Sequence, residues 1–221
     1  MKTTKIILLA LLGLAAATAR PAAAEDINWT GYYLGLNTGY NFGNSDARYT
    51  LPAFSGYSIH SHPDGWSAGL QAGANYELKN HLAVGLEAEI SCAEVSDTIY
   101  DALSDAHGHP GNTIKTGSDY AGTVRARLGY AMGRFLPYVT AGVAGADANV
   151  YATDGPVSQR DFQLGWVAGA GLEYAIDRHW RVRFEYLHID LGSHTWFGGQ
   201  LWQSSSTLTS ETLRLGINYK F

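Results

Sequence analysis

A period of two runs through this chain and limits what it can fold into. Along 66–76, Trp66, Ala68, Leu70, Ala72, Ala74 and Tyr76 share one parity, while Ser67, Gly69, Gln71, Gly73 and Asn75 share the other. Successive side chains of a strand point to opposite faces, so this stretch has one apolar face and one small or polar face. The same alternation sets Leu82, Val84, Leu86, Ala88 and Ile90 against Glu87 and Glu89. It sets Tyr120, Val124, Leu128 and Tyr130 against Thr123, Arg125 and Arg127, and Phe162, Leu164, Trp166, Leu172 and Tyr174 against Gln163 and Glu173. It continues with Trp180, Val182, Phe184 and Tyr186 against Arg181, Arg183 and Glu185, and closes with Leu213, Leu215, Ile217, Tyr219 and Phe221 against Arg214, Asn218 and Lys220. A stretch over 29–42, with Tyr32, Leu34, Leu36 and Tyr40 on one parity, and an Ala- and Gly-rich stretch over 137–150, whose parity is ambiguous, bring the number to eight. No helical period competes over any long window.

The connections alternate in length. Short turns fall near Lys79-Asn80, Met132-Gly133 and Asp177-Arg178, and long loops at 43–63, 96–117, 151–160 and 191–207. Short turns at one end and long loops at the other predict an all-β fold, a closed eight-stranded antiparallel up-and-down transmembrane β-barrel, with the turns periplasmic and the loops outside. Closure is required because an open edge in lipid leaves backbone N–H and C=O groups unsatisfied.

The position of the aromatics turns the apolar face outward. Tyr32, Tyr76, Tyr130, Tyr174, Trp180 and Tyr219 fall near the turn end of their strands, and Tyr40, Trp66, Tyr120, Phe162 and Tyr186 near the loop end. Two rings of amphipathic side chains, separated by Leu, Val, Ala and Gly, match the two headgroup levels of a bilayer. The opposite face then lines the lumen, where an eight-stranded barrel has room for side chains and little else. Glu87, Glu89, Glu173 and Glu185 meet Arg125, Arg127, Arg183 and Arg214 there, and the adjacency of acidic and basic strands predicts a paired charge network that plugs the barrel, with a narrow ion path as the alternative.

The N-terminus predicts export. Lys2 and Lys5 precede an uncharged, mostly apolar run from Ile6 to Ala17, and Ala22-Ala23-Ala24 offers small residues at a cleavage site. Residues 1–24 therefore read as a signal peptide, cut after Ala24, and 25–221 as one barrel domain. Losing Lys2, Lys5 and Arg20 moves the formal charge from -5 to -8, which disfavours nucleic acid as a partner because phosphate binding needs clustered cations. The single cysteine, Cys92, forms no internal disulfide, so the fold must be held without one.

Four segments carry a resemblance. Trp29-Thr30-Gly31-Tyr32-Tyr33-Leu34-Gly35-Leu36-Asn37, Leu136-Pro137-Tyr138-Val139-Thr140-Ala141-Gly142, Gly165-Trp166 through Gly171-Leu172-Glu173-Tyr174, and Leu213-Arg214-Leu215-Gly216-Ile217-Asn218-Tyr219-Lys220-Phe221 occur in the order seen in small outer-membrane proteins of alphaproteobacteria. The chain resembles that porin-like family, and its architecture is similar to the OmpA membrane domain. The resemblance implies an integral protein of the Gram-negative outer membrane, in contact with its lipid and lipopolysaccharide, that helps maintain the envelope. It also implies that Phe221 is part of the signal read by the barrel-assembly machinery. The loops depart from any recognisable pattern, so the surface ligand stays open.

No catalytic residue, cofactor or metal is expected. Two alternatives compete with that reading. His60, His62, His107, His109 and His194 lie in loops and could bind haem or a metal, since imidazole is a common ligand. Ser58, His60 and Asp64, or His188 with Asp190, supply residue types for a lipid A-modifying enzyme, although no motif fixes their geometry.

Overall fold

The computed structural model describes residues 27–49, 58–62, 64–100, 113–152, 158–196 and 204–221. These form the strands β1 (Gly31–Tyr49), β2 (Ser58–Ser61), β3 (Asp64–Glu77), β4 (Leu82–Tyr100), β5 (Thr113–Tyr130), β6 (Phe135–Ala152), β7 (Ser158–Ala175), β8 (Trp180–Trp196) and β9 (Ser204–Lys220). Every pairing is antiparallel, and β9 returns to β1. Eight long strands therefore close into the expected barrel. The four-residue β2 lies outside that ring and pairs with the distal end of β1, from Ser45↔Ser61 to Arg48↔Ser58. The segment expected to be a signal peptide, 1–24, lies outside the described residues.

Register fixes the shape. The hydrogen-bonded row from Tyr76 runs through Val84, Leu128, Val139, Ala170, Tyr186, Leu213 and Tyr40, and reaches β3 again at Trp66, ten residues from its start. Eight strands with a stagger of ten residues give a narrow barrel with tilted strands, whose interior is filled by side chains. Moving along such a row from β4 to β9 climbs from the turn end to the loop end.

The strands run further than the alternation suggested. Segments expected as loops at 43–49, 96–100, 113–117 and 191–196 belong to β1, β4, β5 and β8. Crossing a bilayer takes about 9–11 tilted residues, so strands of 14 to 19 residues project beyond it. The projecting ends lie beyond the hydrocarbon band, which alone imposes an apolar parity on the sequence. Register shifts cluster toward the same end, between Cys92 and Val95, Ser118 and Ala121, and Asp190 and Ser193. At the last, Gly192 adopts φ 72 and donates its N–H to Asp190 Oδ1 at 2.8 Å. A left-handed residue inside a strand suits glycine, which lacks the Cβ that clashes there.

The opposite end is built from tight turns. Gly133 takes φ 59 in the hairpin where Met132 and Phe135 exchange backbone hydrogen bonds of 2.8 and 3.1 Å. In the β7–β8 turn, Asp177 Oδ1 accepts the N–H groups of His179 and Trp180, both at 2.7 Å. The donors at Trp180 and His179 hold the Asp177 carboxyl below the usual carboxylate range.

Parity sorts the wall. Tyr32, Leu36, Leu70, Leu86, Ile90, Val143 and Leu164 are each more than half exposed on the outer surface. Asn37, Gln71, Glu87, Arg125, Glu173 and Asn218 are buried inside. The ambiguous stretch resolves with Leu136, Tyr138, Thr140 and Ala144 inward and Val139 and Val143 outward. Leu86, 65 % exposed at mid-strand, is expected to tolerate charge poorly. Leu86→Arg is expected to cost about 2–4 kcal/mol in vesicles, the range for a cation at the lipid-facing midplane. Denaturant titration followed by gel mobility measures it. An unchanged midpoint would place this face in water.

Candidate functional site: a packed, charged lumen

The lumen is closed from the turn end upward. Trp29 precedes β1 and lies inside the mouth, fully buried, with Ala83, Ala131, Leu136 and Ala175 around it and Ile27 against the cluster. The sequence reading had placed Trp29 at the start of the first strand. Here its indole Nε1–H donates to Gly133 O at 3.2 Å across the mouth, and its backbone N–H donates to Glu77 Oε2 at 3.1 Å. The Arg181 guanidinium lies 4.7 Å over the indole and donates to Asn28 O at 3.0 Å, which Lys220 Nζ also reaches at 3.0 Å.

Above this floor the charged side chains form one connected network. Arg125 contacts Glu87, Glu89 Oε2 at 3.0 Å and Glu185 Oε2 at 3.0 Å. Arg127 reaches Glu173 Oε2 at 2.8 Å and Glu87 Oε2 at 3.4 Å. Arg183 donates to Glu87 Oε2 at 2.5 Å and Gln71 Oε1 at 2.6 Å, and lies 3.6 Å from Glu185. Arg214 bonds Glu89 at 2.5 Å. Of these contacts, those of Arg125 with Glu87 and Glu89 and of Arg127 with Glu87 join neighbouring barrel strands, and Arg183 with Glu185 lie on one strand. The others span the lumen: β5 to β8, β5 to β7, β8 to β4 and β9 to β4. Glu173 and Arg183 are direct register partners, yet their ion pairs go elsewhere. The adjacent acidic and basic strands β4 and β5 supply part of the pairing, and contacts across the lumen supply the rest. Long side chains in a barrel this narrow reach the far wall as well as the neighbouring strand.

Neutral groups complete the network, and the sequence reading missed most of them. Tyr33 OH donates to Glu87 Oε2 at 2.6 Å and accepts from Arg127 at 2.7 Å, and Tyr138 OH donates to Glu185 Oε1 at 3.0 Å. Arg127 lies 3.9 Å over the Tyr138 ring. Gln71 Nε2 donates to Asn218 Oδ1 at 2.6 Å, and Asn218 Nδ2 to Glu173 Oε1 at 3.1 Å. Inward parity was the signal for Tyr33, Gln71 and Asn218. It could not reveal Tyr138, in the stretch of ambiguous parity. Toward the loop end the lining turns partly apolar, with Ala144, Val167 and Leu187 packed together beside Ile189 and Leu191.

Two glycines make room for the tyrosines. Gly73 is the register partner of Tyr33, and Gly171 of Tyr138. A Cβ at Gly73 would lie 2.4 Å from Tyr33 OH, and one at Gly171 2.5 Å from the Tyr138 ring. Gly73→Val is accordingly expected to cost about 1–3 kcal/mol through overpacking. In a Tyr33→Ser background the same change should cost less, the remaining cost coming from the Leu86 carbonyl oxygen 2.7 Å from the new Cβ, and equal costs in the two backgrounds would show that the ring is not what glycine accommodates.

The aromatic residues singled out in the sequence fall on the outer surface. Tyr32, Trp66, Tyr76, Tyr120, Tyr130, Trp180, Tyr186 and Tyr219 are exposed there, and Tyr40 and Tyr174 are half-buried by neighbours, Tyr40 against Trp66 at 5.3 Å and Tyr174 against Phe135 at 5.0 Å. Phe221 is exposed, and its N–H donates to Tyr32 O at 3.0 Å.

The alternative sites fare unevenly. His107 and His109 lie outside the described residues, as do the side chains of Ser58, His60 and His194. His62 and Asp64 are exposed. His188 faces outward, and its Nδ1 bonds Glu211 Oε1 at 2.7 Å. Glu211 also accepts the Tyr186 hydroxyl, while Asp190 caps Gly192. His188 thus takes its carboxylate from its register partner on the neighbouring strand β9 and not from the Asp190 expected beside it. Among the described residues no group of three His, Cys, Asp or Glu is placed to hold a metal.

A closed barrel with an apolar outer belt and a charged, filled interior is an outer-membrane β-barrel protein. Residues 6–221 match the family model described as the outer membrane protein beta-barrel domain, and the chain belongs to that family. It is 34 % identical over 223 residues to the 31 kDa outer-membrane immunogenic protein of Brucella melitensis, covering 93 % of this chain and 88 % of that one. It is 29 % identical over 199 residues to the 25 kDa outer-membrane immunogenic protein of Brucella abortus, covering 90 % and 82 %. The outer membrane protein OprG from Pseudomonas aeruginosa shares the fold, with a TM-score of 0.53 and 12 % identity over 89 % of this chain and 98 % of that one. The protein's location is the outer membrane.

Proposed function

We propose that this protein is a structural element of the envelope, a barrel whose lumen is plugged by its charge network and whose loops face the exterior. The observation that carries this reading is the continuity of the ion-paired network, from Glu89–Arg214 through Arg125 and Glu87 to Arg127–Glu173, across the full width of the lumen. Paired and hydrogen-bonded charges are the form in which a buried lumen tolerates ions. The exposed aromatics anchor the wall at the two headgroup levels, in contact with lipid and lipopolysaccharide. Residues 1–24 direct export and are removed, and Phe221 contributes to the signal read by the assembly machinery. The names of the Brucella relatives describe outer-membrane immunogenic proteins, and display of the loops outside the cell is consistent with that.

The test is refolding into lipid vesicles. Unboiled protein is expected to migrate differently from boiled protein, with external protease cutting in the loops and sparing the barrel. Planar bilayers containing the folded protein are expected to show no sustained conductance. Steady ion currents that survive repurification would replace the plug by an ion path.

A further inference from the structure

The lumen's charges do not cancel. Among the described residues, Arg125, Arg127, Arg181, Arg183 and Arg214 are buried inside, against Glu87, Glu89, Glu173 and Glu185. Glu77 and Lys220 at the mouth add one charge of each sign and leave the excess in place. That excess sits low in the barrel. Arg125, Arg127, Arg183 and Arg214 each hold at least one carboxylate. Arg181, 1 % exposed, forms no ion pair among the described residues and is held by the Asn28 carbonyl and the Trp29 ring. Its charged neighbours are Glu173, Arg127 and, at the turn, Asp177. Glu173 already receives Arg127 and Asn218. The Nε–H groups of all five of these arginines are buried without an acceptor among the described residues, and Arg181 is the one of the five that also lacks a carboxylate there.

An uncompensated buried cation costs several kcal/mol, and a buried N–H donor without a partner adds to that. A single anion supplies both missing elements, charge and acceptor. Trp29 lies against Arg181 below and the Arg127–Glu173 pair lies above, so an anion reaching both must be small. We propose that the lower lumen, between Arg127 and Arg181 above the Trp29 floor, binds one small monovalent anion, of the halide class. The proposal rests on the barrel reading and is independent of whether the network blocks conduction.

Chloride is the probe. Folded protein in zwitterionic detergent is expected to broaden the chloride-35 resonance, and bromide is expected to reverse that broadening by competition. At constant ionic strength, replacing gluconate, too large for the lumen, by chloride is expected to raise the thermal midpoint by roughly 3–5 °C per tenfold increase in free halide above half-saturation. Arg181→Gln removes the excess charge and should abolish both effects, while Arg181→Lys, which keeps the charge, should retain the thermal response. A wild-type midpoint equal in chloride and gluconate overturns the proposal without reference to any variant. Broadening that persists in Arg181→Gln, shown to be folded by its gel shift, overturns the assigned site. Failure of the gel shift in the wild type would instead strike the barrel reading itself.

Discussion

Replacing Arg125 by methionine is expected to cost about 3–5 kcal/mol, the penalty for removing one partner of a buried ionic network. Arg125 stands between Glu87, Glu89 and Glu185, all buried. Without it, Glu185 keeps Arg183 at 3.6 Å and Glu89 keeps Arg214, but three carboxylates converge on a space that has lost its guanidinium. Against a typical total stability of 5–15 kcal/mol, the loss is a large fraction of the whole and should move the unfolding transition to much lower urea. The measurement is a urea titration in vesicles, read as the fraction of heat-modifiable protein. A second variant, Arg125→Met with Glu185→Met, removes one charge of each sign. It should recover part of the loss, because apolar replacement of a buried pair is often near neutral. A single variant as stable as the wild type would show that water enters the lumen freely and that the network is solvated.

Trp29→Ala is expected to cost about 3–5 kcal/mol, the range for truncating a buried aromatic to alanine. The indole is 0 % exposed, and its removal also takes the aromatic face from Arg181 and the donor from Gly133 O. Trp29→Phe keeps most of the packing and loses one hydrogen bond, so its cost should be nearer 1 kcal/mol. Trp180, 43 % exposed on the outer surface, is the control, and Trp180→Ala should cost clearly less than Trp29→Ala. Denaturant midpoints of the three variants in one lipid test the ordering. If Trp180→Ala proves the more costly, the mouth is not sealed by Trp29.

Both predictions depend on contacts that no periodicity could show. Parity in the sequence assigned Glu87, Glu173, Arg125 and Arg214 to the face opposite Leu86 and Leu215. It located the turns at Asn80, Gly133 and Asp177, where local chemistry decides the backbone. It did not extend to the strand ends beyond the bilayer, because only the hydrocarbon band imposes an apolar face. Trp29 shares the inward parity of Tyr33 and Asn37, but no periodicity shows that its indole reaches across the mouth to Gly133.

The sequence by itself determined the architecture of this protein. Each strand in lipid must present an apolar face outward, and that requirement is written residue by residue as a period of two. Only the tertiary structure decided the partners inside. Closure with a stagger of ten residues brings β4 opposite β8 and β9, so Glu87 meets Arg183, and Glu89 meets Arg214, across the lumen. Those pairings follow from the diameter and shear of the closed wall, which are properties of all eight strands together and of none alone.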